Sequence, residues 1–438
     1  MRIYLSSLGC VRNQVDSEIM MGRLSEAGHT VCDAPEKADV IVVNTCAFIE
    51  SAAEEAIEEI LTLSRLKKEG ACKKLIVTGC LPQRYGSSTA ESLPEVDIFL
   101  GTGAYGHITE AVQNRWPAGT CLLPSPSQAG LPSWNTARIY DTWPVGYIKV
   151  MEGCGRHCTY CIIPRLRGSL RSRQAEDIAA EAKLLAGRGF AEIVLVGQDT
   201  TSWGEDLATG GLFADLLAET AERMPYNRLR FLYGHPDRID DRLLETVAKY
   251  TNICRYFDIP IQHTSGKILR RMARKYDSSQ LLSCIERIKK KIPDAAIRTT
   301  VMVGFPGETG EDFEELLEFM EYVEFDHLGA FIYSDADDLA SHSLEGHVEP
   351  QIAQDRHDLL MQRQADISLS KNREKTGSVM EILVEGRSQD SRFFGRTQYQ
   401  APEVDGVTFI ETDNAKIGTK MQVRVTDADE YDLTGVPV

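Results

Sequence analysis

Three cysteines near the middle of the chain have the spacing of an iron-sulfur site. Cys154, Cys158 and Cys161 lie in the run Gly-Cys-Gly-Arg-His-Cys-Thr-Tyr-Cys, directly after a strand-like segment at 147–151. A 4Fe-4S cluster held by three thiolates leaves one iron open, and S-adenosylmethionine can chelate that iron through its amino and carboxylate groups. The spacing therefore predicts radical chemistry that uses S-adenosylmethionine.

Zinc is the main alternative for these cysteines. The pattern Cys-x-x-Cys is common in zinc sites, which usually take a fourth Cys or His ligand. His157 is the nearest candidate, but a short turn would aim a side chain at that position away from the centre that the cysteines share. The strand-to-turn context favours an iron-sulfur cluster over zinc and over plain core packing.

A second trio of cysteines recurs at the ends of successive strand-like segments. Cys10, Cys46 and Cys80 close the phrases Tyr-Leu-Ser-Ser-Leu-Gly-Cys, Val-Val-Asn-Thr-Cys and Ile-Val-Thr-Gly-Cys, one βα period apart. Because the carboxyl ends of parallel strands meet at one edge of a sheet, these thiols are predicted to converge. We interpret them as ligands of a second cluster with an open iron that can hold an exogenous sulfur species. Packing as small core residues is the alternative.

The elements that must position the cysteines form an α/β pattern. Residues 1–116 are expected to be a parallel α/β sheet domain, in which strands alternate with amphipathic helices. The strands are predicted at 2–6, 39–43 and 74–78, and the helices at 15–27, 52–67 and 105–115. A Pro-rich linker over 117–146 follows this domain.

The next part, residues 147–335, is predicted to be an open partial TIM-like barrel of six βα units. Its strands are expected near 147–151, 192–196, 229–233, 255–259, 297–303 and 327–332. Active groups of such barrels lie at the carboxyl ends of the strands, and Cys154 follows the first strand. A loop and connecting helix over 336–376 lead to residues 377–438, where short alternating strands predict a small antiparallel, OB-like β-barrel.

Composition and charge indicate which kind of protein this is and which kind of partner it would bind. The chain has 438 residues, eleven cysteines and a net charge of -17. No apolar run approaches the length of a membrane span, so a cytoplasmic protein without membrane contact is expected. The cysteine content then indicates metal binding and thiol packing rather than disulfides. The acidic charge disfavours nonspecific RNA binding and suits a basic protein partner.

Several of these motifs resemble the methylthiotransferase family of radical S-adenosylmethionine enzymes, over essentially the whole chain. The run Ser-Leu-Gly-Cys-Val-Arg-Asn-Gln-Val-Asp-Ser-Glu at 7–18 is similar to the ribosomal-protein branch of that family, and the carboxyl-terminal barrel resembles its TRAM domain. Gly155 and Trp203 depart from the residues usual at their positions, without removing a predicted iron ligand. Further matching phrases lie at 44–46, 79–80, 153–161, 197–201, 258–263 and 304–309.

The resemblance implies an enzyme that inserts sulfur and a methyl group into an unactivated C–H bond, with two 4Fe-4S clusters, S-adenosylmethionine and an external electron donor. The implied target is the β-carbon of an aspartate in the twelfth protein of the small ribosomal subunit, free or within the subunit. Relatives that modify adenosine in tRNA share both cysteine trios, so tRNA is the alternative substrate. An iron-sulfur electron carrier or scaffold is a third interpretation, although a carrier needs no barrel.

Two further side chains are candidates for binding the cofactor. Tyr160 is placed to pack against adenine, or else serves as an ordinary core or surface aromatic. Gln198, beside Asp199 at the end of the second barrel strand, is placed to bind the ammonium group or ribose of the cofactor, or else caps the following turn. No catalytic side chain is assigned.

Basic and aromatic runs elsewhere receive structural interpretations. The arginines that follow the cysteine motif are interpreted as a solvated face rather than as a carboxylate site. Aromatic side chains in the last domain are assigned to its core. Residues 378–438 carry eleven Asp or Glu against six Lys or Arg, which favours a basic protein substrate over RNA. The residues concerned are Arg165, Arg167, Arg171 and Arg173, and Phe393, Phe394 and Tyr399.

Overall fold

Alternating strands and helices build the amino-terminal domain. The computed structural model describes residues 1–113, 115–208 and 210–438. The elements of this domain are β1 (Arg2–Ser7), α1 (Val11–Glu26), β2 (Thr30–Val31), β3 (Val40–Thr45), α2 (Glu50–Ser64), α3 (Leu66–Glu69), β4 (Lys74–Gly79), α4 (Cys80–Tyr85), α5 (Ser88–Ser92), β5 (Ile98–Gly101), α6 (Ile108–Val112) and β6 (Thr120–Leu122). The sheet has the order β2-β1-β3-β4-β5-β6, and all of its pairs are parallel.

The three predicted strands are β1, β3 and β4, at the centre of this sheet. Every residue of β3 is buried, as expected of a parallel strand covered by helices on both faces. The other strands have two to four residues, too few to show a period in the sequence. β6 lies within the predicted Pro-rich linker and pairs with β5, so the sheet extends past residue 116.

The central domain contains the six predicted barrel strands, which are β7, β10, β11, β12, β13 and β14. Two parallel three-stranded sheets, β7-β10-β11 and β12-β13-β14, meet at a bridge between Leu229 and Ile253. A short hairpin of β8 and β9, which the sequence did not predict, brackets the cysteine loop. The elements are β7 (Val145–Lys149), β8 (Met151–Glu152), α7 (Ile163–Arg167), β9 (Arg171–Ser172), α8 (Ala175–Gly187), β10 (Glu192–Val196), α9 (Phe213–Arg223), β11 (Arg228–Phe231), α10 (Asp241–Lys249), β12 (Tyr256–Asp258), α11 (Gly266–Arg271), α12 (Ser278–Lys291), β13 (Ala296–Val303), α13 (Gly310–Val323) and β14 (His327–Ile332).

A helix, α14 (Pro350–Glu374), leads to the closed carboxyl-terminal barrel. Its strands are β15 (Val379–Arg387), β16 (Phe393–Arg396), β17 (Thr408–Ile410), β18 (Lys420–Ala428) and β19 (Leu433–Pro437). The pair β17–β19 is parallel and the others are antiparallel, because a closed ring of five strands cannot alternate direction throughout. Within the part of the chain that the structure describes, no helix is both long and apolar enough to traverse a lipid bilayer.

The carboxyl-terminal barrel closes the amino end of the central barrel. The buried guanidinium of Arg396 lies 3.4 Å from Glu192, which also pairs with Arg230 at 2.6 Å. The Tyr256 hydroxyl donates to Asp405 at 2.6 Å. These contacts involve the first residues of β10 and β12 and lie at the end of the barrel away from the cysteine loop. They attach the carboxyl-terminal barrel to the end of the central barrel that lies opposite the cysteine loop.

Removing the hydroxyl of Tyr256 tests this interface. Tyr256→Phe is expected to lower the free energy of unfolding by about 2 kcal/mol, because the buried carboxylate of Asp405 loses the hydroxyl that donates to it. Urea unfolding measures the change. The matched control is Tyr322→Phe. Tyr322 is 70% exposed, so this substitution is expected to leave the free energy of unfolding unchanged. Equal stability of the two variants would contradict the proposed anchoring role of this bond.

Candidate active site

All six predicted cysteine ligands line one cavity of about 320 Å³. One trio comes from the amino-terminal sheet and the other from the central barrel, so the two domains share this cavity. Tyr160 and Gln198 line it as well. The convergence predicted for each trio is therefore present, and the structure adds that the two trios face one space. The six thiols are those of Cys10, Cys46, Cys80, Cys154, Cys158 and Cys161.

The amino-terminal trio follows three neighbouring strands of the sheet. Cys10 precedes α1, Cys46 follows β3, and Cys80 is the first residue of α4. Gly9 has φ +87°, and a Cβ on it would lie 2.6 Å from the Cβ of Cys46. Only glycine has both the backbone freedom and the small size that this approach of the backbone before Cys10 to Cys46 requires.

If each trio holds one cubic cluster, Gly9→Ala is expected to move Cys10 away from Cys46 and to lower the iron content from about eight to about four atoms per chain. Iron analysis of anaerobically reconstituted protein measures the change. Gly28→Ala is the matched control, because Gly28 has φ +80° but open space around its Cβ position. Both variants carry a similar backbone cost of about 1 kcal/mol. If both variants lost iron, the cause would be the backbone strain that they share, and not the contact between residue 9 and Cys46.

Two guanidinium groups polarise the amino-terminal trio. Burial raises the pKa of the Cys10 thiol, but Arg12 and Arg167 outweigh that effect and lower the pKa to about 7. Arg12 Nε donates to Cys10 Sγ at 3.4 Å. Burial raises the pKa of Cys80 to about 11, although Arg167 opposes it. Cys10 is thus the thiol in this trio that is most readily converted to the thiolate that a metal requires.

An arginine clamp holds the loop of the other trio. Arg156, between Cys154 and Cys158, pairs with Asp199 at 2.6 Å and with Asp237 at 2.8 Å. These carboxylates follow β10 and β11, so the loop is tied to the carboxyl ends of two barrel strands. Burial raises the pKa of Cys161 to about 12.

The donor set of each trio fits a cubic iron-sulfur cluster. Thiolates on such a cluster bind separate iron atoms, so they stand further apart than the ligands of a single ion. Across residues 1–113, 115–208 and 210–438, no three His, Cys, Asp or Glu side chains are grouped closely enough to hold one ion. His157, the predicted fourth ligand of the zinc alternative, is exposed and is not among the residues that line the cavity.

The two candidate cofactor residues offer different groups to the cavity. Tyr160 presents its ring, and its hydroxyl accepts hydrogen bonds from Arg274 at 2.8 and 3.1 Å. Gln198 donates to Glu152 at 2.5 Å, while its buried Oε1 has no hydrogen-bond partner in the described chain. Asp199 accepts from Arg156 and from two neighbouring hydroxyls. Gln198 therefore keeps an acceptor available and Asp199 is occupied.

The interpretation of the arginine run as a solvated face is wrong for two of its members. Arg167 and Arg173 are 3% and 4% exposed. Arg167 pairs with Asp16 of α1 at 2.7 Å, and Arg173 pairs with Glu181 of α8 at 2.7 Å. In the folded protein these carboxylates, rather than solvent, pair with the two guanidinium groups.

Sequence reasoning missed several other residues that line the cavity. Tyr233 and Gln262 have φ +63° and +68°, in a region rare for residues with side chains, which often marks functional sites. Arg12 and Arg274 place guanidinium groups there. Their positions in the sequence were the available indication of a role at the site. Arg12 stands two residues after Cys10, and Gln262 lies within the family-like motif at 258–263.

Family models match all three parts of the chain. The model described as uncharacterized protein family UPF0004 matches residues 2–101, and the radical SAM superfamily matches residues 148–320. The TRAM domain model matches residues 376–438.

Curated relatives match at full length. A protein of Desulfosudis oleivorans named ribosomal protein uS12 methylthiotransferase RimO is 48% identical over 437 residues, which are 99% of each chain. The chain belongs to the RimO family of methylthiotransferases. A RimO of Clostridioides difficile is 43% identical over 440 residues, with 99% of this chain and 98% of that protein covered. The predicted family and the predicted class, an S-adenosylmethionine-dependent methylthiotransferase, are confirmed.

Solved structures resemble this RimO-family chain in fold. TsrM of Kitasatospora setae, a radical S-adenosylmethionine methyltransferase, has a TM-score of 0.58 at 12% identity. The match covers 84% of this chain and 89% of TsrM. The cobalamin-dependent radical enzyme OxsB has a TM-score of 0.54 at 13% identity, with 84% of this chain and 56% of OxsB covered. At these identities the likeness shows the α/β architecture alone.

Proposed function

We propose that this chain adds a methylthio group to the β-carbon of an aspartate in ribosomal protein uS12. The observation that carries the proposal is the single cavity onto which three cysteines from each of two domains open. The names of the full-length relatives support uS12 as the substrate. The net charge of -17 also suits a basic ribosomal protein, free or within the ribosomal subunit.

In this proposal each cysteine trio holds one 4Fe-4S cluster. Cys154, Cys158 and Cys161 would leave an iron open for S-adenosylmethionine, and the amino-terminal trio would hold the second cluster. When bound, these groups supply abstraction of hydrogen from an unactivated carbon, and the sulfur and methyl that replace it. An external electron donor provides the reducing equivalents.

The protein residues would bind and orient these groups. The ring of Tyr160 is placed to pack on the adenine, and the free Oε1 of Gln198 is placed to accept from the ammonium group or a ribose hydroxyl. The salt bridges of Arg156 hold the cysteine loop against two barrel strands. Apolar side chains of Phe48, Ile163 and Leu166 line the same cavity.

Anaerobic reconstitution with iron, sulfide, reductant and S-adenosylmethionine tests the proposal. We expect about eight iron atoms per chain, formation of deoxyadenosine, and a methylthio mass increase on one aspartate of uS12. A parallel reaction with tRNA is expected to leave adenosine unmodified. Modification of tRNA alone would overturn the choice of substrate, and the absence of deoxyadenosine would favour a carrier or scaffold.

A further inference from the structure

The chemistry of the target places a negative charge inside the cavity. This inference rests on the proposed function. The β-carbon of an aspartate is bonded directly to its carboxylate carbon, so that carbon cannot reach the space between the cysteine trios unless the carboxylate enters too. Burial of an unpaired carboxylate is costly, because the protein interior solvates charge poorly. The cavity therefore needs a cation that is free to pair with the substrate.

Four arginines line the cavity, and carboxylates of the protein already neutralise two of them. Arg156 pairs with Asp199 at 2.6 Å and with Asp237 at 2.8 Å. Arg167 pairs with Asp16 at 2.7 Å. A second carboxylate on either arginine would meet the negative charge already present.

Arg12 and Arg274 differ from these two arginines. Among the residues that the structure describes, no Asp or Glu forms an ion pair with either of them. Arg274 donates from Nε and Nη2 to the Tyr160 hydroxyl, on the side of the cavity where Cys161 follows Tyr160. That position belongs to the part of the cavity proposed for S-adenosylmethionine.

Arg12 reaches the cavity from the amino-terminal trio and, among the described residues, is held by a backbone carbonyl, an aromatic ring and the sulfur of Cys10, whose charge as a cluster ligand would be shared with the iron. Its Nε donates to Cys10 Sγ at 3.4 Å and its Nη1 donates to the Gly197 carbonyl at 2.9 Å. The guanidinium stacks over the Tyr233 ring, 4.6 Å from the centroid. Its Nη2 donates to no acceptor in the described part of the chain. The guanidinium is thus held in position before the substrate binds, and its Nη2 group remains able to donate to the substrate.

We propose that Arg12 binds the carboxylate of the target aspartate and makes the enzyme select aspartate over neutral side chains. The fixed guanidinium offers a charge-assisted hydrogen bond on the side of the cavity that carries Cys10. The β-carbon, one bond from the carboxylate carbon, is then held in the cavity onto which both trios open. Arg12 is therefore a specificity-determining residue of the site.

The test compares two substrates on each preparation of the cluster-loaded enzyme with S-adenosylmethionine. One is uS12, and the other is uS12 in which the target aspartate is replaced by asparagine, which keeps the shape and removes the charge. The dissociation constant of each is measured by anaerobic competition binding. Incomplete cluster loading cancels from the ratio of the two constants, because both come from the same preparation.

We expect the wild-type enzyme to prefer the aspartate form by roughly 10- to 100-fold, the range of a charge-assisted hydrogen bond in a buried site. Arg12→Gln is expected to reduce that ratio to about one, and Arg12→Lys to keep part of it, because lysine retains the charge but loses the planar fork. Arg23→Gln, the same charge change on the exposed part of the same helix, is expected to keep the full ratio.

Two results would overturn the inference: an unchanged ratio in Arg12→Gln, or a ratio lost in Arg274→Gln but not in Arg12→Gln. Failure of the proposed function gives a different result, since the wild-type enzyme would then leave uS12 unmodified. If wild type modifies uS12 and Arg12→Gln keeps the preference for aspartate, the assignment of Arg12 alone is wrong.

Discussion

Cys158→Ala is expected to abolish both the cleavage of S-adenosylmethionine and the modification of uS12, each to below about 1% of wild type. Cys158 is the central member of the trio proposed to hold the cluster that binds the cofactor. Loss of a direct ligand should exceed the 10- to 100-fold effects typical of groups that only orient a ligand. Deoxyadenosine formation measures cleavage, and mass analysis of uS12 measures modification.

Cys46→Ala is expected to separate the two activities. It removes a proposed ligand of the second cluster and leaves the other trio intact, so deoxyadenosine should still form while uS12 gains no methylthio group. The iron content should fall to about four atoms per chain. Cys121→Ser is the control, because Cys121 lies in β6 and is not among the residues that line the cavity. Methylthio transfer by Cys46→Ala would contradict a role for the second trio.

Arg167→Met is expected to lower the free energy of unfolding by about 3–5 kcal/mol, because it breaks a buried ion cluster between two domains. Arg167 pairs with Asp16 of α1 at 2.7 Å and lies 3.6 Å from Glu152. Lys149 contacts both carboxylates and is 1% exposed. Without Arg167, two buried carboxylates share one ammonium group. Urea unfolding followed by circular dichroism measures the loss.

Arg165→Met is the matched control for this prediction. Arg165 lies on the same short helix, is 54% exposed, and pairs with Asp338 at 3.3 Å. Exposed pairs of this kind contribute at most about 1 kcal/mol. Equal losses in the two variants would mean that the buried cluster does not hold the domains together. Asp16→Asn in the Arg167→Met background should restore part of the stability, since it removes one of the uncompensated charges.

The same ion cluster connects stability with the candidate site. Arg167 Nη2 lies 3.9 Å from Cys80 Sγ, and its charge lowers the pKa of Cys10 and opposes the effect of burial on the pKa of Cys80. One guanidinium thus joins α1 to the central barrel and also stabilises negative charge on the amino-terminal trio. We expect Arg167→Met to lower the affinity of that trio for iron as well as the stability of the domain interface.

Residue spacing and hydrophobic periodicity predicted the cysteine trios and the six barrel strands, and the matching motifs indicated the family. Ligand spacing and strand periodicity are local properties of a chain, so they can be recognised without knowledge of contacts. The position of Cys10, Cys46 and Cys80 after consecutive strands also implied their convergence, because parallel strands end at one edge.

The relative placement of the two trios and the charges around them depend on contacts between residues far apart in sequence. Arg167 and Asp16 are 151 residues apart in sequence, and Arg396 and Glu192 are 204 apart. No local pattern reveals such pairs, and for this reason the basic run predicts a solvated Arg167 although that side chain is buried. The same holds for Arg12, which has no carboxylate partner among the described residues, because packing decides which residues surround it. Pairing of buried charge depends on the whole fold, and it is this pairing that distinguishes a structural arginine from one available to a substrate.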